Sequence, residues 1–177
     1  QGHPERGSLP GIETTSGPLG CGLSQAAGMA YSLQYLGGNS DRFVYCSLGD
    51  GELDEGNIWE AAMFAKKYNL ANLIAIVDRN NIQIGGDTEK VMPLGELADK
   101  WRSFGWNAQE IDGHNYSAII QAIDKAKISR RPSVIIAHTI PGRGVDFMEY
   151  DYRWHGKSPN AEEAEWALAQ LSGGGGE

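Results

Sequence analysis

Short apolar runs of strand character alternate along this chain with segments of helical period, and that alternation restricts the fold to strand–helix–strand units around a mostly parallel sheet. The strand-like runs are Phe43 to Leu48, Leu73 to Asp78, Trp106 to Ile111 and Ser133 to His138. Most are apolar enough to be covered on both faces, as strands inside a parallel sheet must be. Between them the pattern predicts helices. Leu19 to Leu36 is small and apolar along its length, which suits a helix packed inside something larger, while Ile58 to Tyr68, Pro93 to Ser103 and Tyr116 to Ala126 are amphipathic cover for a sheet. Gly105 and Gly113 punctuate the turns. No internal repeat is present. The expected fold class is α/β, with helices on both faces of the sheet.

A chain of 177 residues with 41% hydrophobic content supports a single domain with a real core, expected over residues 1–171. A last helix is predicted over Ala161 to Leu171, with Asn160 as its N-cap and Glu163 as the capping partner. Residues 172–177 are expected to form a flexible Gly-rich tail, because a run of four glycines loses much backbone freedom on ordering. Residue 1 is Gln and an informative polar segment begins at once, so further chain is expected upstream. The net charge of −8, with no basic cluster, excludes a nucleic-acid surface. Cys21 and Cys46 both sit in apolar runs and read as buried, reduced thiols rather than a disulfide framework. No apolar stretch approaches the roughly 20 residues that cross a bilayer, and no leader pattern opens the chain. A cytoplasmic location without membrane contact is expected.

Open α/β sheets bind ligands beyond the carboxyl ends of their strands, which directs attention to two loops. Gly49-Asp50-Gly51-Glu52 follows the first strand and precedes a helix whose free N–H groups would face the turn. Gly51 would let a diphosphate oxygen approach the backbone. The Asp50 carboxylate would repel a bare phosphate and is best explained by a divalent cation between them. After the next strand, Asn80-Asn81-Ile82 supplies a side-chain carbonyl and backbone carbonyls, the hard donors that Mg²⁺ or Ca²⁺ prefers. Either loop alone is a common turn. Together, one after each of two neighbouring strands, they carry weight.

Gly49-Asp50-Gly51 with Asn80 resembles the thiamine diphosphate and metal motif shared by thiamine-dependent enzymes. The first and last segments narrow the likeness to transketolases. Gly2-His3-Pro4-Glu5, Pro10-Gly11-Ile12-Glu13 and Gly17-Pro18-Leu19-Gly20 are similar to the run that carries a substrate histidine and the cofactor's pyrimidine contacts, and Trp154-His155-Gly156 resembles a second histidine motif. The resemblance covers essentially the whole chain. It implies that Asp50 and Asn80 hold Mg²⁺ or Ca²⁺ through their side chains and Ile82 through its carbonyl, with Gly51 touching the diphosphate. Gly17, Pro18 and Leu19 would lie on the pyrimidine side. Glu55 and Glu60 match acidic positions near that ring, Glu55 with a catalytic role, although the helix macrodipole alone would also favour glutamates there. His3 and His155 lie in loops rather than on periodic apolar faces and are implied to donate hydrogen bonds to substrate hydroxyls and shuttle protons, His155 also contacting the cofactor. His114 has no such support and is expected on the surface. His138 departs from the lysine usual before the run seen here as Thr139-Ile140-Pro141-Gly142-Arg143-Gly144.

The implied activity is transfer of a two-carbon ketol unit from a ketose phosphate to an aldose phosphate, as in the pentose phosphate pathway, with thiamine diphosphate supplying the difficult electronics. The family's glutamate that protonates the aminopyrimidine belongs to a separate pyrimidine-binding domain. The resemblance therefore implies the N-terminal subunit of a split enzyme whose partner is a C-terminal subunit carrying that domain. A hetero-tetramer or higher oligomer follows, since neither half encloses the cofactor. Alternatives are another thiamine diphosphate enzyme, a noncatalytic or truncated cofactor-binding module, and a nucleotide-binding α/β protein. The His3 and His155 motifs disfavour the first, and the lack of a Gly-x-Gly-x-x-Gly turn or P-loop counts against the last.

Overall fold

A computed structural model describes residues 2–37 and 41–173. Its main sheet has four parallel strands in the order β1 (Val44–Gly49), β2 (Leu73–Arg79), β6 (Ser133–His138), β5 (Asn107–Asp112). Gly49 stands opposite Asp78, Arg79 opposite His138 and His138 opposite Asp112, so the carboxyl ends of all four strands align at one edge. A small antiparallel ribbon of β3 (Ile82–Gln83) and β4 (Gly86–Asp87) hangs from the end of β2. The expected α/β class with a mostly parallel sheet is what the chain adopts.

One face of the sheet carries the main core. Leu23, Ala26, Ala27 and Ala30 of α1 (Cys21–Tyr31) pack with Ile58, Ala61, Ala62 and Ala65 of α2 (Gly56–Lys67), over Cys46, Leu48, Ala75, Val77, Val134 and Ile136. The alanines let the helices approach each other and the sheet closely. A short helix, α3 (Thr88–Val91), follows β4, and α4 (Leu97–Ser103) adds Leu97, Ala98 and Trp101 to the same core. The Trp106 ring packs tilted against Trp101 with centroids 4.9 Å apart and donates its indole N–H to the Ala62 carbonyl at 3.0 Å. On the opposite face α5 (Tyr116–Lys127) sets Ala122 and Ala126 against Ile74 and Ile135. Helices thus lie on both faces. Coverage is fullest on the inner strands β2 and β6, whereas Tyr45, Ser47 and Gly49 of edge strand β1 are exposed.

Several boundaries differ from expectation for local reasons. The first helix starts at Cys21, because Gly20 takes a left-handed φ of 80°, and it closes in a π turn over Ser32–Leu36. Pro93 to Glu96 is not helical; Gly95 has φ 60° and α4 begins at Leu97. The last helix, α6 (Ala161–Gly173), begins with the anticipated reciprocal cap: Glu163 N–H donates to Asn160 Oδ1 at 2.9 Å and Asn160 N–H to Glu163 Oε2 at 2.8 Å. It runs through Ser172 and Gly173, which were expected in a flexible tail; residues 174–177 lie outside the described residues. Cys46 is buried and Cys21 half-buried, and both are free thiols. No helix among the described residues is long and apolar enough to cross a membrane.

Candidate functional site

At the carboxyl edge of the sheet, a 3₁₀ turn over Gly51–Asp54 follows β1 and turns Asp50 inward until only 1% of it remains exposed. A buried carboxylate must be compensated. Asp50 Oδ2 accepts from Arg79 Nη1 at 2.9 Å and from the Asn81 N–H at 2.7 Å, while Oδ1 accepts from the Gly51 N–H at 2.8 Å and the Thr88 hydroxyl at 3.4 Å. The two predicted cation loops are therefore joined directly. Asn81 adopts φ 64°, a conformation asparagine tolerates well, and this aims its N–H at Asp50. Asn80 is held from both ends of its amide: Nδ2 donates to Asp78 Oδ2 at 2.9 Å and Oδ1 accepts the Ile82 N–H at 3.0 Å. The Thr139 hydroxyl donates to the other oxygen of Asp78.

Arg79 uses its second arm on Glu89 Oε1 at 2.5 Å, and the same oxygen accepts the Leu94 N–H at 3.2 Å. The Arg79 hydrogen bond, aided by that N–H, holds the Glu89 carboxyl below the usual glutamate range. Asp54 moves the other way: burial lifts it, Lys100 opposes, and the charges of Asp50, Glu55 and Glu89 add to the rise. The loop is thus an acidic region with one buried guanidinium at its centre.

Packing by itself requires a glycine at position 51. A Cβ there would stand 2.6 Å from Gln83 Oε1 and 2.8 Å from Gln83 Cβ, so the space over its Cα belongs to Gln83. That Gln83 oxygen is buried and has no hydrogen-bond partner.

The N-terminal run folds back on itself, with the Ser16 N–H donating to the Pro4 carbonyl at 3.1 Å and the Arg6 N–H to Thr15 Oγ1 at 3.0 Å. This seats the His3 ring against Gly17, where a Cβ would come within 3.2 Å of His3 Cδ2. Glu52 then ties the run to the Asp50 turn: its Oε1 accepts the Gly20 N–H at 2.9 Å and its Oε2 the Gly49 N–H at 3.1 Å. Asn57 Nδ2 adds a bond to the Gly20 carbonyl at 2.9 Å. Glu55, at the N-cap position of α2, lies against Gly20, whose absent Cβ would meet Glu55 Cβ at 2.9 Å. Pro18 accepts the Cys21 N–H through its carbonyl at 3.3 Å, Leu19 is 58% exposed, and Glu60 lies exposed within α2. Residues His3, Gly17, Gly20, Glu55, Asp50, Asn80 and Ile82 thus belong to one connected edge.

His155 stands on a neighbouring segment. A 3₁₀ turn over Tyr152–Trp154 packs on β4, Trp154 Nε1 donates to the Phe147 carbonyl at 2.9 Å, and Lys157 Nζ lies 3.8 Å over the Trp154 ring. His155 itself is exposed, its N–H bonded to the Tyr152 carbonyl at 2.9 Å. His114 is not the plain surface residue expected: it is half-buried, and its Nε2 accepts the Ile140 N–H at 2.8 Å, pinning the Thr139–Gly144 run. His138 is exposed and faces Glu110 Oε2 at 2.9 Å, an acidic partner that a lysine would also suit.

Among the described residues no three His, Cys, Asp or Glu side chains cluster to hold a metal. A cation at this edge would rest on one carboxylate, Asp50, with amide and backbone oxygens of Asn80 and Ile82, an all-oxygen set fitting a hard ion that keeps waters or takes phosphate oxygens. The unpartnered Gln83 carbonyl beside Gly51 fits the same reading. Concavities of about 270, 400 and 530 Å³ among the described residues are lined by other side chains.

The parallel sheet and the loops gathered at its carboxyl edge define an α/β domain of the kind that binds a cofactor beyond its strand ends. The family described as transketolase, thiamine diphosphate binding domain, matches residues 1–172, and the chain belongs to it. It is 42% identical to an apulose-4-phosphate transketolase subunit of Phocaeicola vulgatus, over 97% of this chain and 60% of the relative. It is 45% identical to the 6-deoxy-6-sulfo-D-fructose transketolase subunit SqwG of Clostridium sp., over 91% and 58%. Among solved structures, transketolase from Pichia stipitis in complex with sedoheptulose 7-phosphate superposes with a TM-score of 0.87 at 32% identity, covering 96% of this chain and 26% of that one. Transketolase from Campylobacter jejuni gives 0.82 at 33%, covering 91% and 26%. The chain spans about three fifths of the length of these curated relatives.

The residues that sequence reasoning missed are the ones that organise this edge: Glu52, Asn57, Arg79, Gln83 and Glu89. Glu52 carried a signal, since it follows the Gly49-Asp50-Gly51 turn directly. Arg79 had none, because a cation at a strand end ordinarily reads as solvated.

Proposed function

We propose that this chain is the diphosphate-binding part of a two-subunit transketolase, moving a two-carbon ketol unit from a phosphorylated or similarly anionic ketose to an aldose. The observation that carries the reading is the junction of Asp50 with the Asn80–Ile82 loop at the carboxyl edge of β1 and β2. The relatives named as transketolase subunits support the division between two chains. Their names specify a sugar phosphate and a sulfonated sugar, and both are anionic, which favours an anionic ketose as the donor class.

Asp50, Asn80 and the Ile82 carbonyl hold Mg²⁺ or Ca²⁺, and Gly51 presents its backbone to the diphosphate. Gly17, Pro18 and Leu19 border the pyrimidine side, with Glu55 and Glu60 giving that side its negative charge. Bound thiamine diphosphate supplies the electron sink for breaking and forming the carbon–carbon bond. His3, fixed by its contact with Gly17, and His155 hydrogen-bond substrate hydroxyls and carry protons to and from them. A partner subunit bearing the pyrimidine-binding domain completes the site and excludes water from the reacting carbons.

The test is two-carbon transfer with thiamine diphosphate and Mg²⁺, using this chain alone and mixed with a candidate C-terminal subunit. Donors are xylulose 5-phosphate, apulose 4-phosphate and 6-deoxy-6-sulfofructose, with ribose 5-phosphate among the aldose acceptors. Transfer only in the mixture is the expected result. Confirmed cofactor binding without transfer from any donor would point to a noncatalytic cofactor-binding module instead.

A further inference from the structure

The geometry points to Gln83 as an additional residue of the cation–diphosphate site, its side-chain carbonyl accepting a hydrogen bond from a water on the divalent cation; this rests on the proposed cofactor reading. Three observations converge. Gln83 Oε1 is buried without a partner, and a buried carbonyl left unpaired is costly enough that native proteins rarely keep one without water or a ligand to satisfy it. The atom is placed by the local chain: β3 alternation sends Ile82 into the core and Gln83 the opposite way, over Gly51. Finally, the space for it exists only because residue 51 has no Cβ, and residue 51 directly follows the buried carboxylate Asp50.

The other unpaired buried atoms among the described residues belong to Asn72, just before β2 at the opposite end of the sheet, and to Trp101 in the helical core. Of these, Gln83 alone is orphaned beside the loop where a cation would sit. A neutral carbonyl suits that place. An amide oxygen can take a water hydrogen from a cation that retains part of its hydration shell.

The test uses the enzyme assembled with its pyrimidine-binding partner and follows thiamine diphosphate binding by calorimetry as Mg²⁺ is titrated. Gln83→Met keeps the packing over Gly51 and removes the carbonyl. It is expected to raise the Mg²⁺ concentration for half-maximal cofactor binding about tenfold, as loss of one charge-assisted hydrogen bond would. The thermal midpoint of the metal-free chain should hold or rise, because the orphaned atom is gone. A merely structural glutamine predicts the reverse pattern, a lower midpoint with unchanged Mg²⁺ dependence, and that pattern overturns the inference. Gln83→Glu supplies a second reading independent of how well the Met variant folds: a carboxylate there should lower the Mg²⁺ requirement, and an unchanged requirement again overturns it. Absence of Mg²⁺-dependent cofactor binding in the unmutated enzyme would overturn the cofactor reading itself, an outcome distinct from normal binding by the Gln83 variants.

Discussion

Arg79 Nη1 donates to Asp50 Oδ2 at 2.9 Å, and both side chains are almost wholly withdrawn from water. A guanidinium therefore sits on the carboxylate proposed to receive a divalent cation, and the two positive charges share one anion. Removing one member of a buried pair strands the other charge, which costs about 3–5 kcal/mol. Arg79→Met should lower the stability of the metal-free chain by that order, and Mg²⁺ with thiamine diphosphate should recover more of the loss than they add to the unmutated protein. Denaturant unfolding with and without both ligands checks this. Equal gains from the ligands in the two proteins would mean that the cation does not bind at Asp50.

Asp50 is the acceptor for four donors from three segments, so its replacement acts on folding and on binding together. Asp50→Asn keeps the shape but removes the charge that balances Arg79 and attracts a cation. Cofactor binding that depends on Mg²⁺ should vanish in Asp50→Asn and Asp50→Ala, and stability should fall by several kcal/mol. Calorimetric titration measures the first and chemical unfolding the second. Tight Mg²⁺-dependent binding by either variant would remove Asp50 from the site.

Glu52 clasps the Gly20 and Gly49 N–H groups with its two oxygens, holding the start of α1 against the end of β1. It thereby fixes the loop that carries Gly17 and its contact with His3. Glu52→Ala should cost about 1–2 kcal/mol, the lower part of the range for hydrogen bonds to a charged group because the site is partly solvated. Hydrogen exchange should locate the effect: the Gly20 and Cys21 amides should lose protection while those of β2 and β6 keep theirs.

The inner sheet was legible because its strands are continuous apolar runs between turn signals; Ser133 to His138 matches β6 at both ends. The Asn160–Glu163 cap was legible because it is local, two side chains three residues apart answering each other's N–H groups. The ribbon of β3 and β4 was not, since two residues per strand cannot display a period. Asp50 and Asn80 could be picked from their places after neighbouring strands, yet the partner that neutralises Asp50 comes from a strand-end arginine whose burial is decided by the tertiary fold. The contact between Gly51 and Gln83, which fills the space a Cβ would occupy, was not legible, because Gln83 has no sequence signal of its own. His114 looked like a solvent-exposed loop residue because the Ile140 N–H it accepts lies 26 residues away.

Glu89 extends the Asp50–Arg79 pair toward solvent, and its depressed carboxyl links stability to pH. A carboxyl that ionises more readily in the folded chain than in the unfolded one contributes stability fully above the unfolded value, about pH 4.3, and loses it as pH falls through the lower folded value. Asp151, lowered by the Arg153 hydrogen bond, and Glu163, lowered by the Asn160 N–H, act with the same sign, whereas the lifted Asp54 acts against them. The contribution of Glu89 must therefore be read as a difference between two proteins. Glu89→Gln should be less stable than the unmutated chain at pH 7, and the gap should close as the pH falls below about 4.3 and through the lower folded value, where Glu89 itself becomes neutral. Urea unfolding across that interval measures the gap directly. A gap that does not shrink at all as the pH falls below the unfolded value would show that the Arg79 contact contributes through shape alone and not through charge.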